Sequence, residues 1–173
     1  MRPAPLPDAA VLPDVLAPGL SVVFCGTQAG AASARRSAYY AGPGNKFWSV
    51  LHAIGLTPRR LAPAEFREVL RYGIGLTDVA KHSSGPDSAL RLANVDAAGL
   101  HARIAAHRPR VLAFNGKRAA QAILGFGPLD YGPQSRPVAE AAVFVLPSTS
   151  GAAAGFWSPE PWKEMAAAVG GCP

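Results

Sequence analysis

Two polar side chains, Gln28 and Asp78, lie where apolar segments of the sequence end. Gln28 follows the apolar segment 20–25 closely, and Asp78 stands near the end of the apolar segment 74–79. A carboxylate can take a proton from water and offset developing positive charge, whereas a neutral amide can only orient water through hydrogen bonds. We therefore predict that Asp78 is a catalytic carboxylate. The alternative is a turn or helix-capping aspartate, which is common after threonine.

The loop that follows Asp78 carries other groups with possible roles in chemistry. Asp87 is the alternative carboxylate, although in this context a helix N-cap is the more usual role. Lys81 is interpreted as a phosphate contact, because a Schiff-base nucleophile would require a desolvated amine. His82 is interpreted as a base, a phosphate ligand or a solvated loop residue.

The segment 26–44 combines small, basic and aromatic side chains. Small residues at 29–34 would let the backbone approach a bound ring closely, and Tyr40 would cover one face of that ring. Tyr39 is either a second wall or a core residue. Arg35 and Arg36 suit phosphate oxygens because the guanidinium is a planar fork of donors.

The order of apolar segments predicts the elements that position these groups. Strands are predicted at 20–25, 74–79 and 110–116, with a further strand and its loop at 142–151, and helices from Asn45, Pro63, Asp96, Lys117 and Ser158. Phe47 and Trp48 are assigned to the core. Alternating strands and helices predict a three-layer α/β/α fold with a central, mostly parallel sheet. Ligands bind beyond the carboxyl ends of such strands, which brings together the loops 26–44, 76–88 and 147–157.

Composition narrows the class of protein. The 173 residues are 49% hydrophobic and 16% charged, and this predicts one folded domain over 1–173. Its first 18 residues are expected to form a proline-rich extension that wraps the surface. No apolar run reaches the roughly 18 residues of a membrane span. The N-terminus lacks a signal-peptide pattern, so we expect a cytoplasmic protein. We also expect it to be a monomer. Cys25 and Cys172 are predicted to be reduced thiols, and no metal-ligand spacing accompanies them.

The net charge of +6, with 13 arginines and 4 lysines, favours an anionic partner. Nucleic acid is one such partner, because arginine-rich surfaces associate with phosphate backbones. A GC-rich genome is the alternative explanation for the abundant arginine, alanine, glycine and proline. Composition alone does not choose between them.

The segment 22–48 resembles the first motif of the mismatch-specific uracil-DNA glycosylases, in the thymine/uracil-DNA glycosylase superfamily. That motif runs G-I-N-P-G-x-x-S-A, then a short aromatic segment, then P-x-N-R-F-W. Lys46 takes the place of the motif's arginine. The matching residues are Gly26, Gly30, Ser33, Ala34, Tyr40, Pro43, Asn45, Phe47 and Trp48.

A second stretch, 147–155, resembles the family's other motif, N-P-S-G-L-S-R, and with 114–117 the resemblance covers most of residues 20–165. The departures concern the catalytic and duplex-opening positions. Gln28 replaces the asparagine that orients the attacking water, and Ala29 replaces the following proline. In the second motif Ser148 replaces the asparagine, Ala152 the wedge leucine and Ala154 the arginine.

The resemblance implies a uracil-DNA glycosylase-like fold and a DNA repair enzyme. Its partner would be double-stranded DNA containing uracil or mismatched bases. The enzyme would flip the base out and hydrolyse its N-glycosidic bond, without metal or organic cofactor. Because Gln28 departs from the motif, two alternatives stay open: a hypoxanthine-type glycosylase for deaminated purines, and a non-catalytic DNA-binding module on the same scaffold.

The candidate site residues, taken from the residue chemistry and the resemblance together, fall into three groups. Asp78 and Gln28 are the catalytic candidates. The base-binding candidates are Gly26, Thr27, Ser33, Tyr40 and Asn45. The DNA-binding candidates are Arg35, Arg36, Lys81, Ser148, Ser150, Gly151 and Ala152. Because alanine is a poor wedge, Phe156 and Trp157 are alternatives to Ala152 for insertion into the duplex.

Overall fold

A computed structural model describes residues 10–170. Its sheet consists of the strands β1 (Val22–Gly26), β2 (Ile74–Asp78), β3 (Val111–Asn115), β4 (Gly132–Pro133) and β5 (Ala142–Leu146). Their order across the sheet is β2–β1–β3–β5–β4. Neighbouring strands are parallel except β4, which is antiparallel to β5. The predicted α/β fold with a mostly parallel sheet is therefore confirmed.

Helices of two kinds connect the strands. The α-helices are α1 (Ala31–Arg36), α2 (Phe47–Ala53), α3 (Ala97–His107), α4 (Lys117–Leu124) and α5 (Glu160–Val169). The 3₁₀ helices are Pro63–Tyr72, Asp87–Ala89, Leu92–Asn94 and Gly151–Phe156. Asp96 caps α3 as predicted, because its carboxylate accepts a hydrogen bond from the Gly99 amide at 2.9 Å.

Alternate residues of each strand face two separate cores. In β1, Phe24 packs with Phe47 of α2 and Trp162 of α5, with ring centroids 5.3 and 5.6 Å away. Val23 and Cys25 face the opposite side, where α3 and α4 supply the covering side chains. Helices thus cover both faces of the sheet, as the near-continuous apolar strands require. Cys25 is a free buried thiol, whereas Cys172 lies outside the described residues.

Three local predictions differ from the structure. The segment 26–44 is not all loop, because α1 forms within it. The helix that begins at Pro63 is a 3₁₀ helix with a kink at Glu65. The two-residue strand β4 was not predicted, since a Gly-Pro pair has no strand periodicity and forms only because β5 offers it a pairing edge.

The N-terminal extension does more than wrap the surface. Leu12 and Val15 are buried in the core that contains Phe24. Val15 also exchanges two backbone hydrogen bonds with Leu76 of β2, both 2.9 Å long. Residues 11–15 therefore cover the outer edge of β2, while residues 1–9 lie outside the described part of the chain.

The described residues contain no helix that is long and apolar enough to cross a membrane. Between positions 10 and 170, histidine, cysteine, aspartate and glutamate nowhere form a cluster of three or more that could hold a metal ion.

Candidate active site

A pocket of about 430 Å³ opens at the carboxyl ends of β1, β2, β3 and β5. The loops that were predicted to meet at this edge all contribute to it. Gly26, Asp78 and Asn115 come from the strand ends themselves. The remaining lining comes from 27–33, 40–45, 85–88 and 148–156. The volume falls in the range of small-ligand sites.

The Asp78 carboxylate lies at the bottom of this pocket, against Gly26. The parallel register makes the two residues Cα partners at the ends of β2 and β1. A Cβ atom at position 26 would lie 2.8 Å from Asp78 Oδ1 and 3.2 Å from the Tyr40 hydroxyl oxygen. The glycine therefore leaves the space that both polar groups occupy.

Asp78 titrates near neutrality because of where it lies. Its side chain is 4% exposed, and burial raises its pKa to about 6. The positive charge of Lys81 opposes this shift, whereas the negative charges of Asp14 and Asp87 add to it. A carboxylate with such a pKa is mostly ionised at neutral pH and remains basic enough to accept a proton.

Lys81 is held behind Asp78 rather than on the surface. It is 8% exposed, and its Nζ lies 2.9 Å from Asp14 Oδ1 and 3.0 Å from the Tyr39 hydroxyl, to which it donates. Arg103 Nε lies 3.2 Å from the other oxygen of Asp14. The prediction that Lys81 contacts phosphate finds no support in this arrangement, because its ammonium is buried and paired. Asp14 lies 67 positions away in sequence, which hid the pairing.

Gln28 does not point a free amide into the pocket. Its Oε1 accepts a hydrogen bond from Ser83 Oγ at 2.6 Å, and its Nε2 donates to the Pro86 carbonyl at 3.1 Å. The neighbouring Gly85 amide donates to the Ala29 carbonyl at 2.8 Å. Gln28 therefore fastens the loop 83–86 over one side of the pocket.

Asp87 reinforces the same closure. It is exposed at the pocket wall, and its Oδ1 accepts a hydrogen bond from Thr27 Oγ1 at 2.6 Å. The N-cap role expected for Asp87 is wrong, because Pro86 holds that position of the 3₁₀ helix. His82 is exposed in this loop. Three side-chain hydrogen bonds, two at Gln28 and one between Thr27 and Asp87, thus join the loop after β1 to the loop after β2.

Tyr40 forms one wall of the pocket. Its ring stacks on Phe47 with centroids 4.0 Å apart, which leaves the other ring face as pocket lining. Burial, and then the charge of Asp78, raise the pKa of its hydroxyl well above the usual value. Tyr39 faces the core instead, where its hydroxyl donates to the Pro13 carbonyl at 2.9 Å. Phe47 and Trp48 are buried, as predicted.

Two other base-binding candidates line the pocket while supporting the backbone. Ser33 Oγ accepts a hydrogen bond from the Ala41 amide at 3.0 Å, and this leaves its own hydrogen to donate. Asn45 Oδ1 accepts from the Phe47 amide at 3.0 Å at the start of α2. Its Nδ2 group is the donor that remains for a ligand.

Asn115, which ends β3, was missed as a site residue. Its side chain is 6% exposed; its Nδ2 donates to Thr149 Oγ1 at 2.9 Å and its Oδ1 accepts from the Thr149 amide at 3.0 Å. Its place at the end of a strand was the available signal, since strand ends meet at this edge. It holds the loop that carries Ser148, Ser150, Gly151 and Ala152, all of which line the pocket.

Comparison with known proteins assigns the chain to a family. A sequence model of the uracil DNA glycosylase superfamily matches residues 13–168. The chain belongs to this superfamily. Membership indicates a DNA glycosylase, a DNA repair hydrolase that acts on damaged bases. It does not distinguish the mismatch-specific subtype within the superfamily.

The fold of this uracil DNA glycosylase superfamily member is also found in a solved structure. That solution NMR structure is of a protein from Methanosarcina acetivorans named as a candidate uracil DNA glycosylase. It aligns with a TM-score of 0.61 and 24% sequence identity over 91% of this chain and 94% of that chain. At this identity the likeness concerns the fold.

The rim of the glycosylase pocket carries the remaining candidates. Arg35 and Arg36, in the last turn of α1, are both exposed, and Arg36 Nη1 donates to the Ala41 carbonyl at 3.3 Å. Phe156, at the end of the 3₁₀ helix 151–156, lines the pocket yet is 77% exposed. Trp157 is half-buried against Trp162, with ring centroids 6.1 Å apart.

Proposed function

We propose that this protein removes uracil from DNA by rotating the nucleotide out of the duplex and hydrolysing its N-glycosidic bond, with Asp78 as the general base. The observation that carries the proposal is the buried Asp78 carboxylate at the bottom of the pocket, with its pKa raised to about 6. Membership of the superfamily supports the reaction class.

The reaction needs one base and no cofactor. Asp78 accepts a proton from a water molecule as the water oxygen forms its bond to C1′ of the sugar. The C1′–N bond breaks, its electron pair leaves with the base, and the released base then takes a proton from solvent. A nearby carboxylate also offsets the positive charge that develops on the sugar. A neutral Gln28 could do neither.

The pocket walls supply contacts for the extruded base. Tyr40, supported from behind by Phe47, would stack on one face of the ring. Ser33 Oγ and Asn45 Nδ2 are donors for its polar edge, and Gly26 and Thr27 line the same wall. Donors already in place would stabilise negative charge on the departing base.

The rim would hold the opened duplex. Phe156 is the large apolar side chain that projects from the pocket lining, which suits the space left by an extruded nucleotide better than Ala152 does. Hydroxyls and amides at Ser148, Ser150 and Gly151 would contact the phosphates around the nucleotide. Arg35 and Arg36 would add sequence-independent contacts.

The test is a single-turnover assay on matched duplexes that each carry one lesion. The duplexes contain uracil opposite guanine, uracil opposite adenine, hypoxanthine or no lesion, and alkali then cleaves the strand at abasic sites. We expect alkali-dependent cleavage at uracil, and strand breaks without alkali would indicate a lyase instead. If no lesion were excised although the duplex bound, the protein would be a DNA-binding module and the proposal would fail.

Hypoxanthine is the second candidate substrate. The pocket volume of about 430 Å³ does not restrict the site to a pyrimidine. Gln28, which departs from the motif's asparagine, holds the loop 83–86 and so changes one wall of the pocket. Faster excision of hypoxanthine than of uracil in the same assay would favour this candidate.

A further inference from the structure

A second cavity, of about 470 Å³, lies directly beside the candidate active site. The two cavities share one wall, formed by Tyr40, Gly42, Pro43 and Asn45. The far side of the second cavity is formed by residues 60–63. A DNA strand that leaves the pocket over the shared wall would therefore enter this second cavity. We call it the flanking groove.

The flanking groove is positively charged. Arg36 and Arg60 line it and are both exposed. The nearby carboxylate of Glu65 is already paired with Arg59, because Glu65 Oε2 lies 2.8 Å from Arg59 Nη1. It therefore does not neutralise Arg60. Among the described residues that line the groove, none is acidic. An anionic ligand is the one that such a groove would attract.

The two arginines stand on different segments, α1 and the loop before the 3₁₀ helix 63–72. Arg36 is oriented by the hydrogen bond from its Nη1 to the Ala41 carbonyl, and its other donors remain for a ligand. Gly42 and Gly44 also line the groove, and they have no side chains that would narrow the space between the two arginines. A guanidinium fork on each side suits the two non-bridging oxygens of a phosphodiester.

We propose that the flanking groove binds the phosphodiester next to the extruded nucleotide through Arg36 and Arg60. The inference rests on the proposed function only in taking the pocket as the place of that nucleotide. Arg60 is not a candidate in the sequence analysis, because the sequence around it contains no recognisable motif. Its role follows from the shared wall.

The first test is equilibrium binding of the full chain to a uracil-containing duplex between about 50 and 200 mM salt. Arg60→Ala and Arg36→Ala should each weaken binding about tenfold and lower the slope of log K against log salt by about 1. Arg136→Ala is the charge-matched control, since Arg136 lies in the 134–141 connection at the opposite end of the sheet. Equal effects of Arg60→Ala and Arg136→Ala would overturn the proposal.

The second test locates the contact. Duplexes with a single neutral methylphosphonate linkage, placed in turn at each position around the lesion, are titrated with wild type and Arg60→Ala. If the groove binds a flanking phosphate, one position should abolish the difference between the two proteins. A difference that persists at every position would overturn the assignment.

These binding measurements do not depend on excision. If the wild-type protein bound the duplex with an Arg60-dependent salt slope yet excised nothing, the groove would stand and the proposed glycosylase function would fall. Conversely, if the wild-type protein excised the lesion but Arg60→Ala bound DNA as Arg136→Ala does, only the proposal for the flanking groove would be overturned.

Discussion

Gly26 and Asp78 face each other across β1 and β2, and the Asp78 carboxylate fills the space that any side chain at position 26 would need. A Cβ atom there would lie 2.8 Å from Asp78 Oδ1, closer than real Cβ contacts come. The glycine is therefore required by packing around the carboxylate. The parallel register that pairs these residues also places the carboxylate at the ligand-binding edge of the sheet.

Gly26→Ala should displace the Asp78 carboxylate and lower single-turnover excision at least tenfold. A small misplacement of a reacting group is costly, and the backbone at Asp78 is held in the sheet, so the side chain has to move. Gly30→Ala is the matched control, because a Cβ there meets nothing within 4 Å although Gly30 also lines the pocket. Equal rates for the two variants would contradict the assignment of Asp78.

Asp78→Asn should reduce single-turnover excision by about 100-fold or more, the range for a lost general base, while lesion binding is retained. In wild type the rate should rise with pH and reach half its maximum near the pKa of about 6, since the ionised carboxylate is the active form. The variant should lack this inflection. If it kept the wild-type rate, Asp87→Asn would be the next variant to measure.

Asp78→Asn should also make the protein more stable at neutral pH. The folded-state pKa of about 6 lies above the ordinary value of 3.8, so ionisation at neutral pH opposes folding by about 3 kcal/mol. The effect is absent only well below pH 3.8, where the carboxyl is protonated in both the folded and the unfolded state. The wild type loses stability as the pH rises from there through the folded-state pKa of about 6. Urea unfolding of both proteins near pH 4 and pH 7.5 measures this. A stability difference that does not grow with pH would refute it.

Gln28→Ala should loosen the loop 83–86, because it removes the hydrogen bonds to Ser83 and Pro86. Amide hydrogen exchange over 83–88 should accelerate, and excision should fall less than in Asp78→Asn. Ser83→Ala, which removes one of the two contacts, should have an intermediate effect. Loss of excision in Gln28→Ala without faster exchange would show that the amide positions water after all.

Tyr40→Ala should impair excision from a duplex, because losing a stacking face costs roughly 1–3 kcal/mol. Tyr40→Phe should be mild, since the ring forms the wall and the hydroxyl makes no hydrogen bond among the described residues. Rates for the three proteins at saturating enzyme decide this. If the Phe variant were as impaired as the Ala variant, the hydroxyl would be the working group.

The layered α/β fold and the edge at which the site lies could both be predicted from the pattern of the sequence. Near-continuous apolar strands that alternate with helices can be buried only in a sheet covered on both faces. The carboxyl ends of parallel strands lie at the same edge of a sheet, so the sequence pattern predicts that Gly26 and Asp78 lie at one edge. The N-cap at Asp96 could also be predicted, because it depends only on residues three positions apart in sequence.

The partner of each polar side chain, in contrast, depends on contacts between segments that are distant in sequence. Lys81 pairs with Asp14, Gln28 with Ser83 and Pro86, and Asn115 with Thr149. These partners are separated by 34 to 67 positions in sequence, and composition or periodicity carries no information about which of them meet. Burial also determines the role of a charged side chain such as Lys81. A solvated lysine can bind phosphate, whereas a buried one forms an ion pair within the protein, and burial depends on how the whole chain packs.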